Sequence, residues 1–253
     1  MSFAVTADAY DRFMGRFSGP LAPRFADLAG VAAGQRVLDV GCGPGALTAE
    51  LVRRLGAAAV AAVDPSESFV AAVRERNPGV EVHQAPAEQL PFADDGFDVA
   101  LAQLVVHFMA DPVAGLREMA RVTREGGVVA ACVWDHGGGR GPLSLFWDAA
   151  RELDPDVAGE SHLAGAVEGQ LTELFDAAGL RQIEETSIGV SVEHATFEEW
   201  WEPFTFGVGP AGVYAASLDE AARARLRERC RSLVAAEPFV LPAEAWAARG
   251  LVA

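Results

Sequence analysis

Two aspartates and three closely spaced glycines are the residues of this chain best suited to hold a ligand. Residues 36–46 read RVLDVGCGPGA, so Asp39 precedes Gly41 by two, and Gly43 and Gly45 follow at alternate positions. The apolar stretch 36–40 predicts a strand, and 46–55, with Leu47, Leu51 and Leu55 at every fourth position, predicts an amphipathic helix. Glycines in such a strand-to-helix turn let backbone approach a ligand closely, and the helix amino end favours an anionic group. In open α/β sheets, ligands lie beyond the carboxyl ends of the strands. Asp64 ends the next apolar segment, 59–63, where a carboxylate can take both hydroxyls of a ribose. The first inference is therefore an adenosine-containing ligand.

Gly41, Gly43 and Ala46 satisfy the loose dinucleotide pattern G-x-G-x-x-G/A. Two details oppose a pyrophosphate. Pro44 removes one backbone N–H from a turn that would need its donors. Asp39 puts a carboxylate close to where a dianion would lie, and the repulsion is costly if water is excluded. A ligand with an ammonium and a sulfonium tolerates that acid, and S-adenosylmethionine is such a ligand. A nicotinamide-dependent oxidoreductase using the same turn stays open, as does a cofactor-binding protein without catalysis.

Strand-like and helix-like segments alternate from 36 to 134. Strands are predicted at 36–40, 59–63, 80–83, 97–102 and 128–133, with helices at 46–55, 67–76 and 112–122. Ser66 is expected to cap the helix 67–76, and Asp111-Pro112 to open 112–122, which Gly126-Gly127 would close. This alternation predicts βαβ units and a parallel sheet covered on both faces. After the flexible GGGRGP stretch, helices are predicted at 143–153, 169–178, 196–204 and 218–236, strands at 181–194 and 239–253, and a mobile turn at 207–212.

VLDVGCGPG, AAVDPS, QAPAEQLPFADDGFDVALA and EMARVTREGGVV, in that order, resemble the motifs of class I S-adenosylmethionine-dependent methyltransferases, with the small-molecule, quinone-biosynthesis branch closest. The resemblance covers about residues 10–134 well and the rest loosely. It implies an α/β, Rossmann-like, doubly wound, mostly parallel seven-stranded sheet with a C-terminal helical insertion near 195–237. One domain over 1–253 is expected, with an N-terminal lid (1–24), a cofactor-binding core (25–134) and a C-terminal part (135–253). It implies S-adenosylmethionine as cofactor and S-adenosylhomocysteine as product. Asp39, Gly41, Gly43 and Gly45 would lie under the methionine and ribose, and Asp64 would hold the ribose hydroxyls. Pro65, Ser66, Ala87 and Glu88 would flank the adenine. Pro86 stands where related families often have an acid, which shifts the adenine contact to Ala87 and Glu88. Gln103 would face the methionine and the transferred methyl. In the lid-like AYDRFMGR, Tyr10 and Arg16 are carried over, Arg16 as partner of the cofactor carboxylate.

Methyl transfer from a sulfonium is an in-line displacement with a neutral leaving group, so it requires alignment more than acid catalysis. A general base helps only if the acceptor must lose a proton. His107, four residues past Gln103, is the candidate, since its ordinary range suits such work. An apolar acceptor pocket is expected from 1–20, 104–109 and the insertion, with Trp147, Trp200, Trp201, Phe204, Phe206 and Tyr214 as its aromatic surface. The histidines show no metal-ligand spacing.

The chain's 253 residues carry a net charge of −16, and all 20 cationic side chains are arginine. Nucleic acid is not an expected partner, because such binding needs a basic patch to displace counterions. Residues 154–202 hold twelve acids against Arg181 alone, read as a solvated acidic face. No apolar run approaches the ~18 residues of a membrane span. Asp8 and Asp11 stand where an export signal would want positive charge. Cys42, Cys132 and Cys230 form no disulfide framework, and Cys42 reads as a small space-filler. A soluble cytoplasmic protein acting on a small molecule is expected.

Overall fold

The computed structural model describes residues 7–253. Residues 1–6 of the expected lid lie outside the described residues. The chain opens with α1 (Ala7–Tyr10), a π-helical turn (Asp11–Gly15) and α2 (Arg16–Leu28). Then β1 (Val37–Val40), α3 (Ala46–Leu55), β2 (Val60–Asp64), α4 (Glu67–Arg76), β3 (Glu81–Gln84), β4 (Phe97–Gln103), α5 (Pro112–Val122) and β5 (Thr123–Trp134) follow in strict alternation, except that no helix separates β3 from β4. The second half adds α6 (Ser144–Leu153), α7 (Gln170–Ala177), β6 (Arg181–His194), α8 (Phe197–Trp201), α9 (Gly209–Ser217), α10 (Glu220–Leu233) and β7 (Phe239–Leu251). The seven strands form one sheet in the order β3-β2-β1-β4-β5-β7-β6. The first five pair in parallel, whereas β7 is antiparallel to both β5 and β6. The expected mostly parallel α/β sheet is thus observed. Its order reverses between β1 and β4, which places a crevice at their carboxyl ends.

Both sheet faces are covered. Phe17, Leu21 and Phe25 of α2 and Leu47 and Leu51 of α3 pack on one face, while Leu116 and Met119 of α5 and Phe175 of α7 pack on the other. Strands buried on both faces explain the continuous apolar runs VLDV and VAAV. Asp111 opens α5 as expected, its carboxylate accepting from the Ala114 N–H at 3.0 Å.

Three local readings are corrected. Gly126-Gly127 does not close α5, because β5 already begins at Thr123 and the pairing with β4 shifts register there. A Cβ on Gly127 would lie 2.8 Å from the Asp98 carbonyl oxygen, so the glycine serves close strand approach. Ser66 does not cap α4 through its side chain; its hydroxyl meets Ser68, and its N–H is taken by Asp64. The 207–212 stretch is not all turn, since α9 starts at Gly209 with Pro210 in its first turn. The arginines of α10 tie it to neighbouring helices: Arg229 pairs with Glu152 of α6, and Arg227 with Glu198 of α8.

Trp200, Trp201 and Phe204 pack with Phe146 and Trp147 in an aromatic layer built by α6, α8 and α9, with Phe146 stacked on Phe204 at 4.5 Å between ring centres. Arg76, at the end of α4, ties the N-terminal helical segment to the glycine turn. It donates to Asp11 (2.7 Å), to Asp8 (3.4 Å) and to the Pro44 carbonyl (3.1 Å). These pairs are partly exposed, so each contributes under about 1 kcal/mol. Arg76→Ala is therefore expected to speed amide exchange of residues 8–15 by about two- to fivefold, leaving α2 unchanged, as measured by hydrogen–deuterium exchange mass spectrometry.

Candidate functional site

The turn after β1 is shaped by committing its own donors inward. The N–H groups of Gly41 and Cys42 both reach the Val63 carbonyl, at 2.8 and 2.9 Å, and that of Gly45 reaches Cys42. The Gly43 N–H donates to the Asp64 carboxylate at 2.9 Å. Pro44 has no N–H. Gly41 sits at φ +68°, and a Cβ there would lie 2.5 Å from the methyls of Val105. Gly43, also left-handed at φ +52°, borders open space instead. The turn thus presents carboxylates, and not a row of free amides, to the crevice.

Asp64 is 6% exposed and its other oxygen accepts the Ser66 N–H at 2.8 Å. Burial raises its pKa, with those two N–H groups pulling the other way. Asp39 is 1% exposed. Its Oδ2 accepts from the Thr48 hydroxyl at 2.6 Å, while Oδ1 has no partner. Burial pushes its pKa up to about 7, opposed by Thr48 and aided by the nearby Asp64 charge. Gln103, at the tip of β4, donates to the Ser18 carbonyl at 3.1 Å and leaves its own Oε1 unpaired. The Ser18 hydroxyl is unpaired as well. Asp39, Gln103 and Ser18 line one small cavity beneath the turn, with Tyr10, Gly41 and Gly43. Three unsatisfied buried oxygens there suit a small ligand group rich in donors, above all a cation.

Beside it lies an open cleft of about 910 Å³. Tyr10, Gly41, Gly43, Asp64, Pro65, Ala87, Glu88 and Gln103 all border it, so eight of the thirteen expected residues meet at one place. Sequence reading missed its apolar walls, formed by Phe69, Leu104, Val105, Phe108 and Met109. Leu104 is held at φ +63°, a left-handed conformation that costs a leucine about 1–2 kcal/mol. No signal in the sequence marks it.

The remaining expected residues are placed differently. Gly45 caps α3 at φ +102° and is packed beneath the turn by Val73 and Asn77. The Glu88 carboxylate is engaged by the N–H groups of Ala110 and Asp111 at 2.7 and 3.2 Å, so its charge steadies the loop before α5 while its body walls the cleft. Arg16 is not brought to the turn. Its guanidinium pairs with Glu199 of α8 at 2.7 Å and donates to the Glu193 carbonyl of β6 at 2.9 Å. Cys42 packs among Ala62, Val70 and Val73, and burial holds its thiol well above the ordinary range.

His107 lines a second cavity that shares Tyr10, Leu104 and Phe108 with the cleft. Burial, and then the facing His136, lower its pKa to about 3. A ring held neutral this strongly is a weak proton acceptor, contrary to the expectation of base work near neutrality. The expected aromatic surface is corrected too. Trp147, Trp200, Trp201, Phe204, Phe206 and Tyr214 do not line this cavity, whose walls include Phe13, Met14, Trp134, Leu143 and Pro210. Those six aromatics belong to the helical layer behind it.

Residues 38–131 match the family model of the methyltransferase domain. A ubiquinone/menaquinone biosynthesis C-methyltransferase of Bdellovibrio bacteriovorus is 39% identical over 104 residues, 40% of this chain and 44% of that protein. A demethylmenaquinone methyltransferase of a Mycobacterium species is 37% identical over 129 residues, 51% of this chain and 54% of that protein. The chain thus spans about half the length of these relatives. Among solved structures, the YcgJ protein of Bacillus subtilis shares the fold with a TM-score of 0.58 at 18% identity, over 91% of this chain and 97% of that one. Residues 38–131 are thus similar to methyltransferase domains, and the stretch matched by the relatives is similar to quinone-biosynthesis methyltransferases.

Proposed function

We propose that the protein is an S-adenosylmethionine-dependent methyltransferase that moves a methyl group to a small organic acceptor. One observation carries the reading: a buried carboxylate oxygen, Asp39 Oδ1, stands unpaired beneath a turn whose N–H groups at 41, 42, 43 and 45 are already bonded. A diphosphate needs such donors and would meet two carboxylates instead. An ammonium would satisfy Asp39, Gln103 and Ser18 together. The bound cofactor supplies a methyl on a positively charged sulfur, which leaves as a neutral thioether when the acceptor's lone pair forms the new bond.

The chain's own residues then hold the pieces in line. Asp64, steadied by Gly43 and Ser66, keeps lone pairs on both oxygens for ribose hydroxyls. Pro65 and Ala87 border the same cleft for the adenine, and Gln103 borders both that cleft and the cavity beneath the turn. Tyr10 closes the cleft from the N-terminal segment, its ring edge-on to Phe69 at 5.6 Å. His107, kept neutral, shapes the acceptor side and does not collect the proton. No helix among the described residues is long and apolar enough to cross a membrane. The acidic charge supports a small-molecule acceptor over nucleic acid.

Calorimetry with S-adenosylhomocysteine and with the reduced nicotinamide dinucleotide tests the reading. The former is expected to bind and the latter not; the reverse would defeat it. Asp64→Ala should weaken S-adenosylhomocysteine at least tenfold, which requires about 1.4 kcal/mol; an unchanged affinity would remove Asp64 from the site.

The raised Asp39 pKa makes this binding pH-dependent. In the free protein the carboxyl is protonated below about pH 7, and the ammonium needs the ionised form. Each pH unit below that point therefore costs up to about tenfold in affinity. The affinity should fall as pH drops from 7 to 5.5 and level off above about 7.5. Asp39→Asn should bind weakly and lose most of this slope in the same titration.

A further inference from the structure

Among the twelve acids of the 154–202 run, Glu160 alone is buried, at 4% exposure, in the irregular segment between α6 and α7. It lines the second cavity. Its Oε2 accepts from the Trp147 indole N–H at 2.7 Å, and no arginine among the described residues pairs with it. No arginine lines the cavity either. Burying a carboxylate with so little compensation is costly, and the packing does not require it. Two further polar atoms of this cavity's lining residues are buried without partners: the Trp134 indole N–H, on a side chain 2% exposed, and His107 Nδ1. Tyr10 and His136, whose ring burial keeps neutral, also line it, and the rest of the wall is apolar, formed by residues such as Phe13, Leu143 and Val208. An apolar chamber with a few convergent polar groups, next to the cofactor cleft and sharing Tyr10, Leu104 and Phe108 with it, has the form of a ligand site.

Its charge pattern selects the ligand. An anionic acceptor would meet the Glu160 carboxylate with no cation to offset it. A protonated amine would suit Glu160 but has no lone pair to attack with. A fully capped molecule, an ether or tertiary amide, leaves Glu160 unsatisfied. Resting on the methyltransferase reading, we infer that this second cavity holds the methyl acceptor, and that Glu160 is its specificity-determining residue, accepting a hydrogen bond from an uncharged, largely apolar acceptor that bears a hydroxyl or N–H. Burial pushes the Glu160 pKa up to about 7, in keeping with a carboxylate awaiting a donor. The unpaired Trp134 N–H can meet an oxygen elsewhere on the same ligand.

Three probes of one size and different character test this: 4-methylphenol, 4-methylanisole and 4-methylbenzoate. Each is titrated at pH 8 by ligand-observed NMR against the full chain saturated with S-adenosylhomocysteine. The phenol is expected to bind at least tenfold more tightly than the anisole, with the benzoate weakest. Glu160→Met should bring the phenol-to-anisole ratio below threefold. Equal affinities for phenol and anisole in the unaltered protein, or a ratio that survives Glu160→Met, would overturn the inference. The unaltered protein's preference decides the matter even if the variant does not fold. S-adenosylhomocysteine affinity, read separately by calorimetry, reports on the parent reading: its loss with the phenol preference intact removes the methyl donor and leaves the selectivity of the chamber standing.

Discussion

The Asp64 carboxylate joins two strand tips, and the rest of the cleft depends on that junction. One oxygen holds the turn after β1 through the Gly43 N–H; the other holds the entry to α4 through the Ser66 N–H. Charge-assisted bonds to backbone N–H groups are among the stronger ones available. They fix the turn without any ligand, so the cleft exists in advance. They also decide its chemistry. With its amides bonded inward, the turn faces the crevice with acids, although its glycine spacing is shared with dinucleotide sites.

The same logic runs through the protein's other buried acids. Four carboxylates are buried among the described residues: Asp39, Asp64, Asp135 and Glu160. Asp135 is compensated, accepting from Arg140 at 2.6 Å and from the Gly138 N–H at 2.7 Å, and it merely shapes the loop after β5. The other three line cavities and pair with no arginine. Exposed acids behave differently. Glu152, Glu198 and Glu199 stitch α6, α8 and α10 and the N-terminal segment together through arginines. A net charge of −16 thus divides into a solvated, cross-linked majority and a few uncompensated groups facing ligand space.

How much of this was legible in the sequence follows from how each site is assembled. The cofactor cleft draws on consecutive strand tips, β1, β2 and β4, and each tip carries its residue at the end of an apolar run. Asp39, Asp64 and Gln103 could therefore be found by reading strands. The sheet was legible for the same reason, since doubly buried strands leave continuous apolar runs. Arg16 was misplaced because a segment's proximity to the cleft does not fix which way a long side chain turns; Glu199, 183 residues away, captures it. Gly126-Gly127 looked like a helix stop because close strand approach and helix termination both favour glycine.

The acceptor side obeys no such rule. Its cavity takes Phe13 and Met14 from the π-helical turn, Trp134 from the end of β5, Glu160 from an irregular segment and Val208 from the entry to α9. No periodicity links these positions, and Glu160 sits in a run of acids whose other members are exposed or, at Glu185, half-buried. Tyr10, Leu104 and Phe108 form the shared wall between the two chambers. Leu104 keeps its place there in a strained left-handed conformation, its N–H held by the Cys132 carbonyl at 2.9 Å. A relaxed backbone at that point would send the chain after β4 in another direction and part the chambers. The strain is the local cost of bringing a turn built from neighbouring strands against a pocket gathered from the whole length of the chain.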